Sequence, residues 1–305
     1  MPEYPDLTVY VEALETRLVG ERLEKIRITG PSLLRSVEPS VASAEGRRVL
    51  GVRRLAKRLV IALEDELFLV FHLMIAGRFR WRSAGAKPWR RGGLAAFEFS
   101  SGTLLLTEVS AKKRASLYLV RGEAALAEHD PGGVEVMDLS LEDFAAVLTR
   151  ENHTLKRALT DPHLFAAIGN AYSDEILHRA QLSPVQRSQK LHADEIARLY
   201  AAVRETLADW TARLRERTGD AFPEKVTAFH DDMAVHGRHR QPCPRCGAPV
   251  QRIVYASNET NYCAPCQTGG RVLADRALSR LLQKDWPRTV EELERRRSGR
   301  GRPAT

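Results

Sequence analysis

The chain begins MPEYPDL. Position 2 is small enough for the initiator Met1 to be trimmed, which leaves Pro2 as a secondary amine with the Glu3 carboxylate beside it. A neutral amine attacks electrophilic carbon, and an adjacent carboxylate can carry protons for it. The same residues also suit an ordinary helix start, with Asp6 as N-cap ahead of Leu7, Tyr10, Val11, Leu14 and Leu18. A second group with chemical potential lies far away, at Cys243, Cys246, Cys263 and Cys266. Their pattern, Cys-x2-Cys-x16-Cys-x2-Cys, presents two thiolate knuckles joined by a β-hairpin, the donor set of one tetrahedral Zn2+. Four thiolates leave no position for water, so this zinc is structural. Disulfide pairing is the weaker alternative for cysteines confined to one short segment.

The elements that must position these groups differ along the chain. A leading helix follows Asp6, and from about Leu23 to Val120 short β-type runs take over, among them RLVIAL, LFLVFHL, LAAFEFS and TLLLTEV. Their spacing predicts an antiparallel sandwich or barrel built on the first helix. EHDPGGVEVMDLS reads as a linker, broken at Asp130-Pro131-Gly132-Gly133. Helical patterning runs from roughly Leu141 to Arg217, interrupted at AIGN and LSPVQ. GRHRQPCPRCG opens the cysteine segment, RVLADRALSRLLQ reads as a last short helix, and RRRSGRGRPAT as a disordered basic tail. No internal repeat is present.

The 305 residues are 43% hydrophobic, enough for a core in two domains, and carry a net charge of +8. That charge suits a polyanion such as nucleic acid, although a merely basic enzyme would show it too. The acidic start lacks the apolar segment of a secretory leader, and LFLVFHLMIAG is too short to span a bilayer. A reducing cytoplasm is the expected setting. Zinc hairpins serve many nucleic-acid proteins, so the finger alone names no activity.

Taken together, four stretches resemble the formamidopyrimidine-DNA glycosylase and endonuclease VIII family, in the family's order: MPEYP; Lys57 in RRLAKRLVI with HLMIAGRFR; IGNAYSDEIL; and VHGRHRQPCPRCG with its second knuckle. The resemblance covers Pro2 to about Gln267. It implies an α+β fold: an N-terminal β-sandwich with leading helix over 1–130, a helix–two-turns–helix domain over 131–235, and a zinc β-hairpin over 236–270. A short helix and basic tail would fill 271–305. It also implies a bifunctional base-excision DNA glycosylase and AP lyase, acting as a monomer on damaged DNA, away from membranes, with one structural zinc. The cytoplasm it implies is bacterial, with the protein on the nucleoid when it acts.

The resemblance assigns roles residue by residue. Pro2 would attack C1′ of the damaged nucleoside and form an iminium ion, with Glu3 as general acid and base. Lys57, grouped with Pro2 and Glu3 as catalytic, would contact the lesion or its phosphate. His72 would lie near the phosphates, a buried core histidine being an equal reading, and Gly169 and Asn170 would grip the flanking phosphates. Glu175 would support that helix. Asp6 stands where the family has a longer acid, and capping is at least as good a reading of it as catalysis. Three further departures leave the substrate open among oxidised purines, formamidopyrimidines and pyrimidines. Ile75, after Met74, takes the place of a methionine wedge. EVSAKKRASLYL supplies Lys112, Lys113 and Arg114 where an arginine and a phenylalanine are usual. Asn258, beside Glu259, occupies the place of the hairpin-tip arginine, with Arg252 and Arg271 as nearby substitutes. The altered wedge and tip also fit an alternative: a lesion or DNA-structure binding protein with weak or no turnover.

Overall fold

The computed structural model describes residues 1–255, 258–274 and 286–299, the side chains of 255, 258 and 297–299 excepted. The chain forms two compact units, Met1–Glu135 with Leu207–Ala228, and Val136–Thr206 with Phe229–Thr305.

In the first unit, α1 (Tyr4–Leu18) starts one turn earlier than the sequence suggests. Glu3 is the N-cap and Asp6 occupies the third helical position, so Asp6 is not the cap residue expected of it. The two side chains form a capping box: Asp6 Oδ2 accepts the Glu3 N–H at 2.9 Å, and the Glu3 carboxylate accepts the Asp6 N–H. The shorter acid therefore still closes the box. Pro5, inside the first turn, is pre-set for helix because its missing N–H would have had no helical acceptor there. Leu7, Tyr10, Leu14 and Leu18 form the buried face of the helix.

Eight strands follow: β1 (Leu23–Ile28), β2 (Val49–Leu55), β3 (Arg58–Leu63), β4 (Leu67–His72), β5 (Gly77–Arg82), β6 (Gly93–Phe99), β7 (Gly102–Glu108) and β8 (Ser116–Arg121). They make two antiparallel four-stranded sheets, ordered β1-β6-β7-β5 and β2-β3-β4-β8. This is a sandwich, and the barrel alternative falls away. Inward side chains of both sheets share one core. Phe71 of β4 stands edge-on to Phe79 of β5 and Phe97 of β6, with centroids 5.1 and 5.2 Å away. Tyr10 continues the column against Phe79 at 5.7 Å, and its hydroxyl accepts the Phe79 N–H at 3.2 Å. Helix α2 (Glu123–Ala127) closes the first stretch of this unit.

The β4–β5 connection, Leu73–Ala76, is tight. Met74 lies in the left-handed region at φ 53°, and a Cβ on Gly77 would meet the Leu73 carbonyl oxygen at 2.4 Å. Only glycine fits there without moving the loop.

The second unit holds α3 (Leu141–Thr149), α4 (Leu155–Thr160), α5 (Asn170–Ala180) and the start of α6 (Ala193–Thr218). Ser140 and Thr154 cap α3 and α4 through their side chains. Helix α6 is one 26-residue helix divided between the units, where a single contiguous helical domain was expected over 131–235. The reason lies in its contacts. Tyr200 and Arg204 bond the Leu139 and Met137 carbonyls of the second unit, whereas Arg215 pairs with Glu12 of the first.

The hairpin of β9 (Gln251–Tyr255) and β10 (Asn258–Tyr262) precedes α7 (Ala264–Thr268). The expected helix from Arg271 does not begin there: Arg271 bridges Thr289, and Val272 and Leu273 pack against Tyr262. The remainder of that stretch, 275–285, lies outside the described residues. Helix α8 (Val290–Gly299) occupies part of the segment read as tail, because Val290 and Leu293 join this small core.

Tyr10→Phe tests the tie between α1 and β5. It removes an acceptor from a buried N–H without changing the ring column, so a loss of about 1–2 kcal/mol is expected in urea unfolding.

Candidate active site and zinc centre

The sandwich brings several of the singled-out residues to the chain's beginning. Pro2 and Glu3 are buried at the start of α1. The chain carries Met1, so Pro2 nitrogen is an amide in this structure and the free amine belongs to Met1. Burial holds that amine below its usual protonation range, and the Arg78 and Lys57 cations push it the same way. Glu3 and Asp6 oppose them. Lys57 sits in the β2–β3 turn after Ala56, whose φ of 49° makes the reversal. It reaches the field of the amine from a different sheet edge than Arg78.

Sequence reasoning missed Arg78, although it lies inside the quoted HLMIAGRFR. Its Nη1 donates to the Ile75 and Gly77 carbonyls at 3.0 and 2.7 Å, clamping the β4–β5 loop from below. Ile75, at the loop's tip, is 58% exposed. His72 ends β4 opposite Ser116 of β8. Burial first, then Arg58 and Lys57, lower its pKa to about 4, so the imidazole is neutral near pH 7.

The β7–β8 loop carries Lys112, Lys113 and Arg114, all exposed. Its organiser is Glu108, a buried carboxylate that the sequence did not single out. Glu108 accepts the Arg114 N–H at 2.9 and 3.1 Å and the Ala115 N–H at 3.1 Å, while Lys113 Nζ donates to its carbonyl. One buried acid thus draws both ends of the loop together and leaves its charged tip outside.

In the second unit, Gly169 is the extended N-cap of α5 and Asn170 the first helical residue, so the expected tight turn is a helix N-terminus. Asn170 Nδ2 donates to the Glu259 carbonyl of β10 at 2.9 Å. Two adjacent acids on α5 fasten the zinc segment. Glu175 accepts the N–H groups of Ala234, Val235 and His236 at 2.7, 2.9 and 2.9 Å. Burial pushes its carboxyl above the usual range, and those three donors pull in the opposite direction. Asp174 meets Lys156 Nζ at 2.5 Å, His236 Nδ1 at 2.8 Å and the Asn261 N–H at 3.0 Å. Lys156 also donates to the Asn170 carbonyl at 2.6 Å. Asp174, Lys156 and His236 had no role in the sequence reading; a buried acid beside Glu175 in SDEIL was the available signal.

The backbone of Asn258 pairs with Tyr255, and its side chain lies outside the described residues. Arg252 is committed to Glu259 at 3.3 Å. The four cysteine sulfurs lie within 4.8 Å of one another, with Cys246–Cys263 at 3.3 Å and Cys243–Cys266 at 4.0 Å. Zinc–sulfur bonds of about 2.3 Å in a tetrahedron require sulfur separations of about 3.8 Å, so the set fits one structural zinc. His178 Nε2, 3.2 Å from Cys243 Sγ, supplies a hydrogen bond to one of the zinc thiolates.

Glu175→Gln keeps the volume but turns an amide NH2 toward at least one of three buried donors. A stability loss of about 1–3 kcal/mol is expected, read by thermal unfolding of the zinc-loaded protein. Wild-type stability in that variant would contradict the fastening role.

The family comparisons agree segment by segment. The formamidopyrimidine-DNA glycosylase N-terminal domain matches residues 1–113, its H2TH domain 133–215, and the zinc finger found in FPG and IleRS 240–269. The chain is 33% identical over 285 residues to the formamidopyrimidine-DNA glycosylase of Thermus thermophilus, covering 88% of this chain and all of that protein. Against the crystal structure of the Thermus thermophilus MutM (Fpg) protein it has a TM-score of 0.72 at 32% identity, covering 87% of this chain and 98% of the other. Against a Lactococcus lactis FPG mutant in complex with Fapy-dG DNA the TM-score is 0.77 at 25% identity, covering 88% and 100%. The chain belongs to the formamidopyrimidine-DNA glycosylase family and is a base-excision repair DNA glycosylase.

Proposed function

We propose that the enzyme excises an oxidised base from DNA through a covalent intermediate on Pro2 and then nicks the strand as an AP lyase. The observation that carries this reading is the amine at the start of α1, held toward its neutral form by burial and by Arg78 and Lys57. Removal of Met1 moves the free amine one residue along, to the secondary nitrogen of Pro2. An ordinary α-amino group titrates near ~8, so a modest depression suffices for attack at neutral pH.

The steps follow from that nitrogen. Its lone pair attacks C1′ and the base leaves with its bonding electrons and a proton. The sugar ring opens, with Glu3 delivering the proton to the ring oxygen, and an iminium ion remains on Pro2. A secondary amine makes this cation permanent, without needing a proton to keep it charged. It therefore draws electrons from the C2′–H bond; loss of that proton expels the 3′ phosphate, and a second elimination can expel the 5′ phosphate. Hydrolysis of the iminium returns the amine.

The remaining residues position DNA. His72, neutral by its burial, donates one N–H to a phosphate oxygen without contributing charge. Lys57, Lys112, Lys113 and Arg114 supply cations in the first unit, and the α5 N-terminus with Asn170 supplies an anion-binding end in the second. Ile75 fills the space of the extruded base. Met74 sets the loop's reversal, and Asp6 acts through the capping box, holding the backbone of Glu3. The Lactococcus lactis relative's complexes with Fapy-dG DNA and with oxidised-pyrimidine DNA support an oxidised base as substrate. The protein acts as a monomer on damaged DNA. Among the described residues no helix is long and apolar enough to cross a membrane.

The test is strand nicking on a duplex with one abasic site, as a function of pH. Pro2→Gly should lose most of the activity. Arg78→Met removes a cation beside the amine, so the amine's pKa rises. The acid limb of the rate profile should then shift to higher pH, with less activity at pH 7. An unchanged limb, or full activity in Pro2→Gly, would remove the amine from the mechanism.

A further inference from the structure

The register of the first sheet gathers three connections at one end of the sandwich. Gly77, which starts β5, pairs with Glu108, which ends β7. Gly93, which starts β6, pairs with Thr107. The β4–β5 loop, the β7–β8 loop and the last residues before β6 therefore share that end. The 83–92 connection leaves β5 at Arg82, opposite Thr103 at the far end, and must run back the length of the sheet to reach Gly93. It carries Lys87, Trp89, Arg90 and Arg91, all exposed.

This connection is built, not loose. A Cβ on Gly93 would meet Trp89 oxygen and nitrogen at 2.4 and 2.6 Å, so the backbone at Trp89 lies directly on the strand start. The Gly92 carbonyl accepts the Glu108 N–H at 2.7 Å, tying it to the β7–β8 loop. Arg80 stacks under the Trp89 ring at 4.5 Å and is itself fixed by Glu224 at 2.8 Å. Trp89 nevertheless remains 39% exposed, and Val109, whose backbone adjoins Gly92, 70%. Ile75, also exposed, lies in the β4–β5 loop at the same end of the sheet.

Among the described residues, the exposed cations of this connection stand without acids, unlike many on the sandwich. Arg27, Arg47, Arg53, Arg54, Arg80 and Arg82 are all ion-paired with acids of the same unit. No ion pair with a described residue engages Lys87, Arg90, Arg91 or Lys112. Cations left without carboxylates, next to an aromatic ring backed by a fixed guanidinium, fit a strand of nucleic acid. The ring takes a base face and the cations take phosphates. We infer that the 87–91 connection is a further DNA contact, in which Trp89 stacks on an unpaired base and Arg90 and Arg91 hold the adjoining phosphates. This rests on the reading that DNA meets the sandwich at the Ile75 end.

The experiment measures affinity by fluorescence anisotropy on a labelled duplex containing a tetrahydrofuran abasic-site analogue, with the full zinc-loaded chain. Trp89→Ala should weaken binding by roughly 5- to 100-fold, the value of one base–aromatic stack, and Trp89→Phe should restore most of it. The double variant Arg90→Ala/Arg91→Ala, at exposed positions that cannot disturb the core, should lower the slope of log affinity against log salt by about 1.8. At saturating abasic DNA, Trp89→Ala should still be trapped by borohydride. Failure of the Pro2 chemistry would instead abolish trapping in the wild type while leaving these affinity differences in place. Wild-type affinity in Trp89→Ala together with an unchanged salt slope in the double variant would overturn the proposal. A Trp89→Phe variant as weak as Trp89→Ala would overturn the stacking.

Discussion

A chain terminus is ordinarily the least ordered part of a protein, and a nucleophile placed there is useful only if it is held still. Everything in the first unit bears on that constraint. The reciprocal hydrogen bonds of Glu3 and Asp6 fix the first turn of α1, and Tyr10 fastens the helix to β5 through its ring and its hydroxyl. The aromatic column from Tyr10 through Phe79 and Phe71 to Phe97 then links that helix to both sheets. The same packing removes water from the amine of Met1, which costs its charged form, the effect that the proposed Pro2 chemistry needs. On the proposed mechanism, order and reactivity have one cause, burial of the chain's start against a rigid core.

The second unit solves a different problem, how to keep a small zinc hairpin in register with a helix N-terminus. Thiolate coordination fixes the knuckles but not their placement on α5. Asp174 and Glu175, on one turn of that helix, supply the placement through seven directional contacts to Lys156, Ala234, Val235, His236 and Asn261. Buried acids facing several donors are specific because losing any one leaves an unsatisfied group. Asn170 adds a direct bond from the helix start to β10, so the hairpin and the α5 N-terminus form one piece.

Much of this was legible in the residues. The leading helix, the alternation of short strands and the cysteine spacing follow local rules, and these elements form, although α1 begins a turn early and no helix begins at Arg271. Sandwich against barrel was not legible, because closure depends on which distant strands pair, such as β4 with β8. Asp6 was misplaced by one turn since a cap and a third helical position both favour a short acid. Arg78, Glu108 and Asp174 escaped notice for a common reason. Their importance comes from what folding brings to them, a loop carbonyl, two loop amides, a lysine 18 residues away, and no local pattern announces such partners. Trp89 is the inverse case: an aromatic among cations is visible in the sequence, but only the register brings its connection to the end of the sheet that carries the Ile75 and Val109 loops.

The central claim, that the chain's own second residue is the nucleophile, is tested most directly by locating the bond. Abasic duplex DNA is incubated with the enzyme, the adduct is reduced with borohydride, and tryptic peptides are sequenced by mass spectrometry. The account predicts the reduced sugar on the nitrogen of Pro2 in the peptide ending at Arg17, with Met1 absent. An adduct on Lys57, or on any other lysine, with an unmodified amino-terminal peptide would contradict it.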